Sequence, residues 1–270
     1  MDEGSPPASA EAKLRLGTGS LPAAEVEADI ANLIFDRSGR LARPSLRLLV
    51  GNMRAFLLDP PPGLPGPEVP RGDGHPVLVF PPFLFGDGMT RPLRRYLDAC
   101  GYESHGWGLG RNLGPSDAIM EGGADRLAEL HASTGRRVSL VGVSLGGLFA
   151  REAAKRHPLC VRRVITLCSP YRLPIASNVE PVFRLLAERH SHNFAHLLPT
   201  LADPPPVPTT SVYTKDDGIV NWRSCADPDD PAADNVEVQG AHATIGRNPR
   251  ALAVVTARLA RPEGGVEPGF

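Results

Sequence analysis

The 270-residue sequence predicts an α/β fold, a mainly parallel central sheet covered by helices on both faces. Three observations predict it. From residue 75 onward, short β-rich runs alternate with amphipathic helical segments. The best of these runs, Val77-Leu78-Val79-Phe80 and Val138 to Val143, are mostly hydrophobic rather than strictly alternating, as strands buried on both faces are. The spacing between runs leaves room for a crossover helix, which parallel pairing requires.

The elements follow in order. Residues 1–22 are polar and rich in Ala, Ser and Pro, and read as a loose tail. Residues 23–58 read as a helical extension of two helices, broken near Ser38-Gly39 and Pro44. Val26, Ile30, Leu33 and Ile34 form one apolar stripe; Leu46, Leu48, Leu49, Met53, Phe56 and Leu57 form the other. These stripes are expected to pack on the main domain, on a partner or on a membrane surface. Residues 59–74 hold six prolines and four glycines, so neither helix nor strand can run through them, and they mark a linker and domain boundary. The main domain is expected over 75–265.

Within it, Met89 to Cys100, Ser116 to Ser133, Leu145 to Arg156 and Arg250 to Leu259 read as helices. Tyr102 to Trp107, Val161 to Leu167, Thr209 to Thr214 and Val236 to Val238 read as further strands. Residues 171–208 are too many for a tight loop. Phe183, Leu185, Leu186, Phe194, Leu197 and Leu198 suggest a small helical cap or a crossover helix there.

Composition narrows the function. The formal net charge is −1 and no basic block stands out, which argues against nucleic acid as a partner. Cys100, Cys160, Cys168 and Cys225 are scattered with no CxxC pair, so neither a structural zinc nor a disulfide scaffold is expected. His192 and His196 stand four apart but have no carboxylate pattern near them, so no metal is expected. The glycine-rich stretch Trp107 to Gly114 lacks the GK[ST] of a phosphate loop, and no cofactor is expected. The N-terminus has no apolar leader, and no stretch reaches the roughly 18 apolar residues of a membrane span. A reducing cytoplasm is the expected compartment.

One motif carries chemistry. Gly142-Val143-Ser144-Leu145-Gly146 matches GxSxG. About 0.1 to 0.2 such matches arise by chance in a chain of this length and composition. The context makes the match stronger: a strand ends at Val143 and a helix begins at Leu145, so Ser144 sits at a sharp strand-to-helix turn. Serine is a weak nucleophile without a base, and the base needs an orienting carboxylate. Asp216 and Asp217 follow the Thr209 strand in Lys215-Asp216-Asp217-Gly218. Asp217, next to the glycine, is the preferred acid. His242 stands in a glycine-containing turn after a short strand, about 25 residues on.

The blocks HPVLVFPPFLFGD, SLVGVSLGGLFAREAAKRHP, TLCSPYRLP, SVYTKDDGIVNW and VEVQGAH resemble successive blocks of the α/β-hydrolase superfamily, and most of all its lipase- and esterase-like members. The resemblance covers about residues 75–262. It implies the chain order serine, acid, histidine, and of the five histidines after Ser144 only His242 also follows the acid. It implies that the 171–208 segment caps the serine and shapes an acyl pocket. It also implies an oxyanion hole of two amides: Leu145 after the nucleophile, and one in the loop after the first strand. Pro81 and Pro82 have no N–H, so Phe83 is the first candidate there and Leu84 the second. The expected activity is hydrolysis of a small carboxylic ester, with acyl transfer or thioester cleavage by the same residues, or non-catalytic binding, as the alternatives.

Overall fold

In a computed structural model, which describes residues 31–36, 38–227 and 233–263, the chain forms one six-stranded parallel sheet. The expected tail and the first half of the first apolar stripe lie outside the described residues. The elements are α1 (Leu46–Leu58), β1 (Pro76–Phe80), α2 (Asp87–Ala99), β2 (Glu103–Gly106), α3 (Asp117–Thr134), β3 (Val138–Val143), α4 (Leu145–Arg156), β4 (Val161–Leu167), α5 (Glu180–Leu185), β5 (Thr209–Tyr213), β6 (Asp234–Glu237) and α6 (Pro249–Leu259). The strand order is β2-β1-β3-β4-β5-β6. From β1 the chain steps outward to β2, then returns past β1 to β3 and continues the other way. The reversal lies between β1 and β3, and in open α/β sheets the crevice for a ligand opens at such a point, at the carboxyl ends of the strands.

Period-two alternation sorts the strand residues into two cores. Leu78, Phe80, Val138 and Leu140 face α3 and α4 and meet Leu127, Leu130, Leu148 and Phe149. Val77, Val79, Val141, Val143, Ile165 and Val212 face the opposite way, toward Leu93 and Leu97 of α2 and Leu252, Val255 and Leu259 of α6. Burying each large side chain contributes about 1.5–3 kcal/mol. Local signals fix the helix ends. Ser116 caps α3 by accepting from the Ile119 amide, and Gly135 ends it in the left-handed conformation. Asn248 caps α6, with Pro249 in its first turn.

Some boundaries differ from the sequence expectation. Strand β6 begins at Asp234, two residues before the apolar run, because Thr210 to Tyr213 pairs with Asp234 to Glu237. The Asp234 carboxylate is satisfied there by Thr210 Oγ1 at 2.6 Å and by Arg258. Strand β2 is the polar edge segment Glu103–Gly106, flanked by buried Tyr102 and Trp107. Residues 59–74 hold no helix or strand. The 171–208 segment is α5 followed by the 3-10 stretches Ala187–Arg189 and His192–Thr200. A 3-10 turn takes three residues, so positions four apart, such as 192 and 196, lie about 120° apart around the axis rather than on one face.

Helix α1 does not bury the expected stripe. Its one fully buried side chain is Asn52, while Leu46 and Leu57 are exposed. Asn52 Nδ2 donates to the carbonyls of Leu48 at 2.9 Å and Asp216 at 3.0 Å. Arg247 donates to the carbonyls of Ala55 at 3.1 Å and Phe56 at 2.7 Å. Gly218 lies directly beneath the helix: a Cβ there would sit 2.3 Å from the Leu48 carbonyl oxygen. The helix is thus seated on the loops after β5 and β6.

Two buried histidines make stability pH-dependent. His75 is bonded to Asp73 at 2.5 Å and Ser139 at 2.8 Å; His190 lies against the Phe183 ring and bonds the Leu113 carbonyl at 3.2 Å. Burial, the larger effect, pushes both below the ordinary histidine range. As pH falls through about 6.5, the unfolded chain takes up protons that these native imidazoles refuse, so stability is full above that pH and declines below it. The urea midpoint is expected to fall between pH 7.5 and pH 5.5, and to fall less in His190→Gln. An identical pH dependence in that variant would place the proton uptake elsewhere.

Candidate active site

Ser144 stands where β3 ends and α4 begins, at the carboxyl edge beside the reversal point. Its backbone has φ 51° and ψ −127°, a region L-residues rarely occupy. The turn is possible because its neighbours lack side chains. A Cβ on Gly142 would lie 2.2 Å from Gly147 Cα, and one on Gly146 would lie 2.4 Å from the Phe80 carbonyl oxygen. The Ser144 amide donates to the Leu167 carbonyl at 2.8 Å, which ties the turn to β4.

The three residues expected to act together are brought together. His242, in the loop after β6, has Nε2 2.9 Å from Ser144 Oγ and Nδ1 2.6 Å from Asp217 Oδ2. All three are buried. Asp217 Oδ1 accepts from the amides of Ile219 and Val220, each at 2.8 Å, so the loop after β5 fixes the carboxylate from its own backbone. Asp216 points elsewhere: it is exposed, and its carboxylate accepts from the Gly240 amide at 3.3 Å.

The loop after β1 separates the two oxyanion candidates. The Leu84 amide already donates to the Asn112 carbonyl at 2.6 Å. Among the described residues, the amides of Phe83 and Leu145 donate to no protein group. Asn112 holds this loop from below: its amide donates to the Phe85 carbonyl at 2.8 Å and its side chain to the Pro81 carbonyl at 2.9 Å. Sequence reasoning missed Asn112. Its only signal is a lone asparagine within the glycine-rich stretch 107–114, a residue type that readily bonds nearby backbone in turns.

Cys168 Sγ, an Asp217 oxygen and a His242 nitrogen lie within 4.8 Å of one another, the one such group of potential metal ligands among the described residues. Burial, and then the Asp217 carboxylate, push the Cys168 thiol well above its ordinary range, and Cys225 behaves alike. A thiol kept protonated is neither nucleophile nor good ligand, and Asp217 and His242 are already engaged with each other. Cys100, Cys168 and Cys225 are buried and Cys160 is half-buried; all four are free.

Ser144 opens on two apolar cavities. One, of about 50 Å³, lies toward Leu145, Leu148, Phe183 and Phe194. The other, of about 440 Å³, lies beneath α1 and is lined by Leu49, Met53, Phe56, Met89 and His242 among others. The part of α1 in this lining was not expected from sequence.

No protein-family model matches the chain, and no curated protein sequence matches it. Solved structures are. Lipase B of Aspergillus fumigatus superposes with a TM-score of 0.54 at 18% identity, over 89% of this chain and 66% of that one. The mature lipase BlEst2 of Bacillus licheniformis superposes with a TM-score of 0.53 at 16% identity, over 74% of this chain and 96% of that one. The N-acyl homoserine lactonase AidH gives 0.51 at 16% identity, over 73% and 94%. The chain has the α/β-hydrolase fold. Within the α/β-hydrolase fold the loops after β1, β3, β5 and β6 all leave the same edge of the sheet, which is why four distant segments of sequence meet at Ser144. Among the described residues no helix is long and apolar enough to cross a membrane.

Proposed function

We propose that the protein is a serine hydrolase that cleaves carboxylic esters through an acyl-enzyme on Ser144. The single observation that carries this reading is the continuous relay from Ser144 Oγ to His242 to Asp217, at 2.9 Å and 2.6 Å. It sits between apolar cavities that suit an uncharged substrate. The similarity in fold to two lipases supports it.

Ser144 Oγ attacks the ester carbonyl carbon while its proton passes to His242 Nε2. Asp217 holds the Nδ1 proton and balances the imidazolium. The carbonyl oxygen becomes an oxyanion facing the Phe83 and Leu145 amides and the amino end of α4. The tetrahedral centre then collapses: the bond to the alcohol oxygen breaks, and that oxygen takes the proton from His242. Water, deprotonated by His242, attacks the acyl-enzyme, and the acid leaves as Ser144 regains its proton.

A fluorophosphonate, which phosphonylates activated serines, is expected to add one label per chain, recovered on the peptide holding Ser144. Labelling that persists in Ser144→Ala, or none in the folded wild type, would overturn this assignment.

A further inference from the structure

The two cavities that meet at Ser144 differ about ninefold in volume, at about 50 Å³ and 440 Å³. They also differ in the chemistry at their mouths. His242 lines the large cavity and is not among the residues lining the small one, whereas Leu145 lines the small one alone. Phe83, Ser144 and Val179 line both, and stand where the two meet.

That asymmetry assigns the two halves of an ester. At the tetrahedral stage the oxygen that departs must take a proton from His242 Nε2, so it has to lie on the His242 side of the serine. The acyl group is then directed away from His242, toward Leu145. We propose that the small cavity receives the acyl group and the large cavity the alcohol, so that the enzyme is selective for esters of short acyl chains with bulky apolar alcohols. This rests on the serine-hydrolase reading above and deepens it.

The walls support the division. An engineered apolar cavity of about 150 Å³ holds a benzene ring, so 50 Å³ admits an acyl chain of only a few carbons. The small cavity cannot widen cheaply. Phe183 lies at its wall with its ring centroid 5.4 Å from Phe35, 5.6 Å from Phe83 and 4.1 Å from His190, so its ring is held on three sides. The large cavity falls in the range of roughly 300–1,000 Å³ that accommodates whole drug-sized ligands. Its roof is supplied by Leu49, Met53 and Phe56 of α1.

The test uses the full chain and two matched ester series. In the first, the alcohol is ethanol and the acyl group grows from acetyl to dodecanoyl. In the second, the acyl group is acetyl and the alcohol grows from ethanol to decanol, with 2-naphthylmethanol added. We expect kcat/KM to peak at or below butanoyl in the first series and to fall at least tenfold by octanoyl. In the second it should rise with size, by up to roughly fourfold per buried CH₂. Phe183→Ala is expected to move the acyl optimum to longer chains while the ranking of alcohols holds. Met53→Trp is expected to lower turnover of decyl and naphthylmethyl acetate while the ranking of acyl chains holds. Together the two variants keep the test alive should either fail to fold. An enzyme labelled at Ser144 that prefers ethyl dodecanoate to decyl acetate would overturn the division and leave the hydrolase reading standing. A folded wild type that fluorophosphonate does not label would overturn both.

Discussion

Ser144→Ala is expected to lower kcat on the order of 10⁶-fold, close to the loss seen when a nucleophile that works as a unit with its base is removed. The physical reason is that no other group can replace it. Among the described residues its Oγ is the one hydroxyl bonded to His242 Nε2, and Cys168, whose Sγ lies within 4.8 Å of a His242 nitrogen, is kept protonated by burial and by Asp217. The fold should be indifferent, because among the described residues the hydroxyl has no hydrogen-bond partner besides His242. The measurement is single-turnover acylation of an activated ester, with the urea midpoint taken alongside. A variant that keeps even a hundredth of wild-type turnover at unchanged stability would remove Ser144 from the mechanism.

The second large effect separates two adjacent carboxylates. Asp217→Asn is expected to lower kcat on the order of 10⁴-fold, and Asp216→Asn less than tenfold. An amide at position 217 can present N–H rather than oxygen to His242 Nδ1, which then holds the imidazole with its proton on the nitrogen facing Ser144, unable to accept another. The Asp217 carboxylate is 2.6 Å from that nitrogen and receives two backbone amides, whereas the Asp216 carboxylate, among the described residues, accepts from the Gly240 amide alone, at 3.3 Å. The comparison is made on matched kcat values with an ester whose alcohol is a poor leaving group. A crippled Asp216→Asn beside a near-normal Asp217→Asn would reverse the assignment.

How much of this was legible in the sequence follows from what each part depends on. The expected bounds of β3, α4 and β4 coincide with those observed, Val138–Val143, Leu145–Arg156 and Val161–Leu167. Two of these elements carry a local signal strong enough to stand alone: a valine-rich run at β3 and glycines at the turn before α4. β4 is read through its two arginines because its other residues suffice. Those arginines stay buried because their heads reach the Asp73 carboxylate and the carbonyls of Arg261 and Pro262, far off in sequence. The apolar run starts β6 two residues late because polar Asp234 is held in the strand by Thr210 and Arg258, again distant partners. The choice of Phe83 over Leu84 was open in the sequence, since both have an N–H; which amide is already spent depends on Asn112, about 28 residues on.

Helix α1 shows the limit most plainly. Its pattern says that one side is apolar, and that is true of the side chains. What the pattern cannot say is which surface that side meets. The helix is oriented by Asn52, a polar residue standing within the apolar stripe, four after Leu48 and four before Phe56, because its amide finds the Asp216 carbonyl. Leu49, Met53 and Phe56 are consequently turned toward a cavity rather than toward a packed core.

Because α1 rests on Gly218 at one end and on Arg247 at the other, occupancy of the large cavity and the docking of this helix share one free energy. Whatever fills the space beneath the helix must also hold the helix down, and by thermodynamic reciprocity a helix already held down must bind that occupant more tightly. The segment that looks like an appendage in the sequence is therefore a balance arm. Its detachment would simultaneously unroof the cavity and free the Asp216 carbonyl that the Asn52 side chain holds, so that the cavity's wall and the bracing of the loop beside Asp217 would be lost in one motion rather than two.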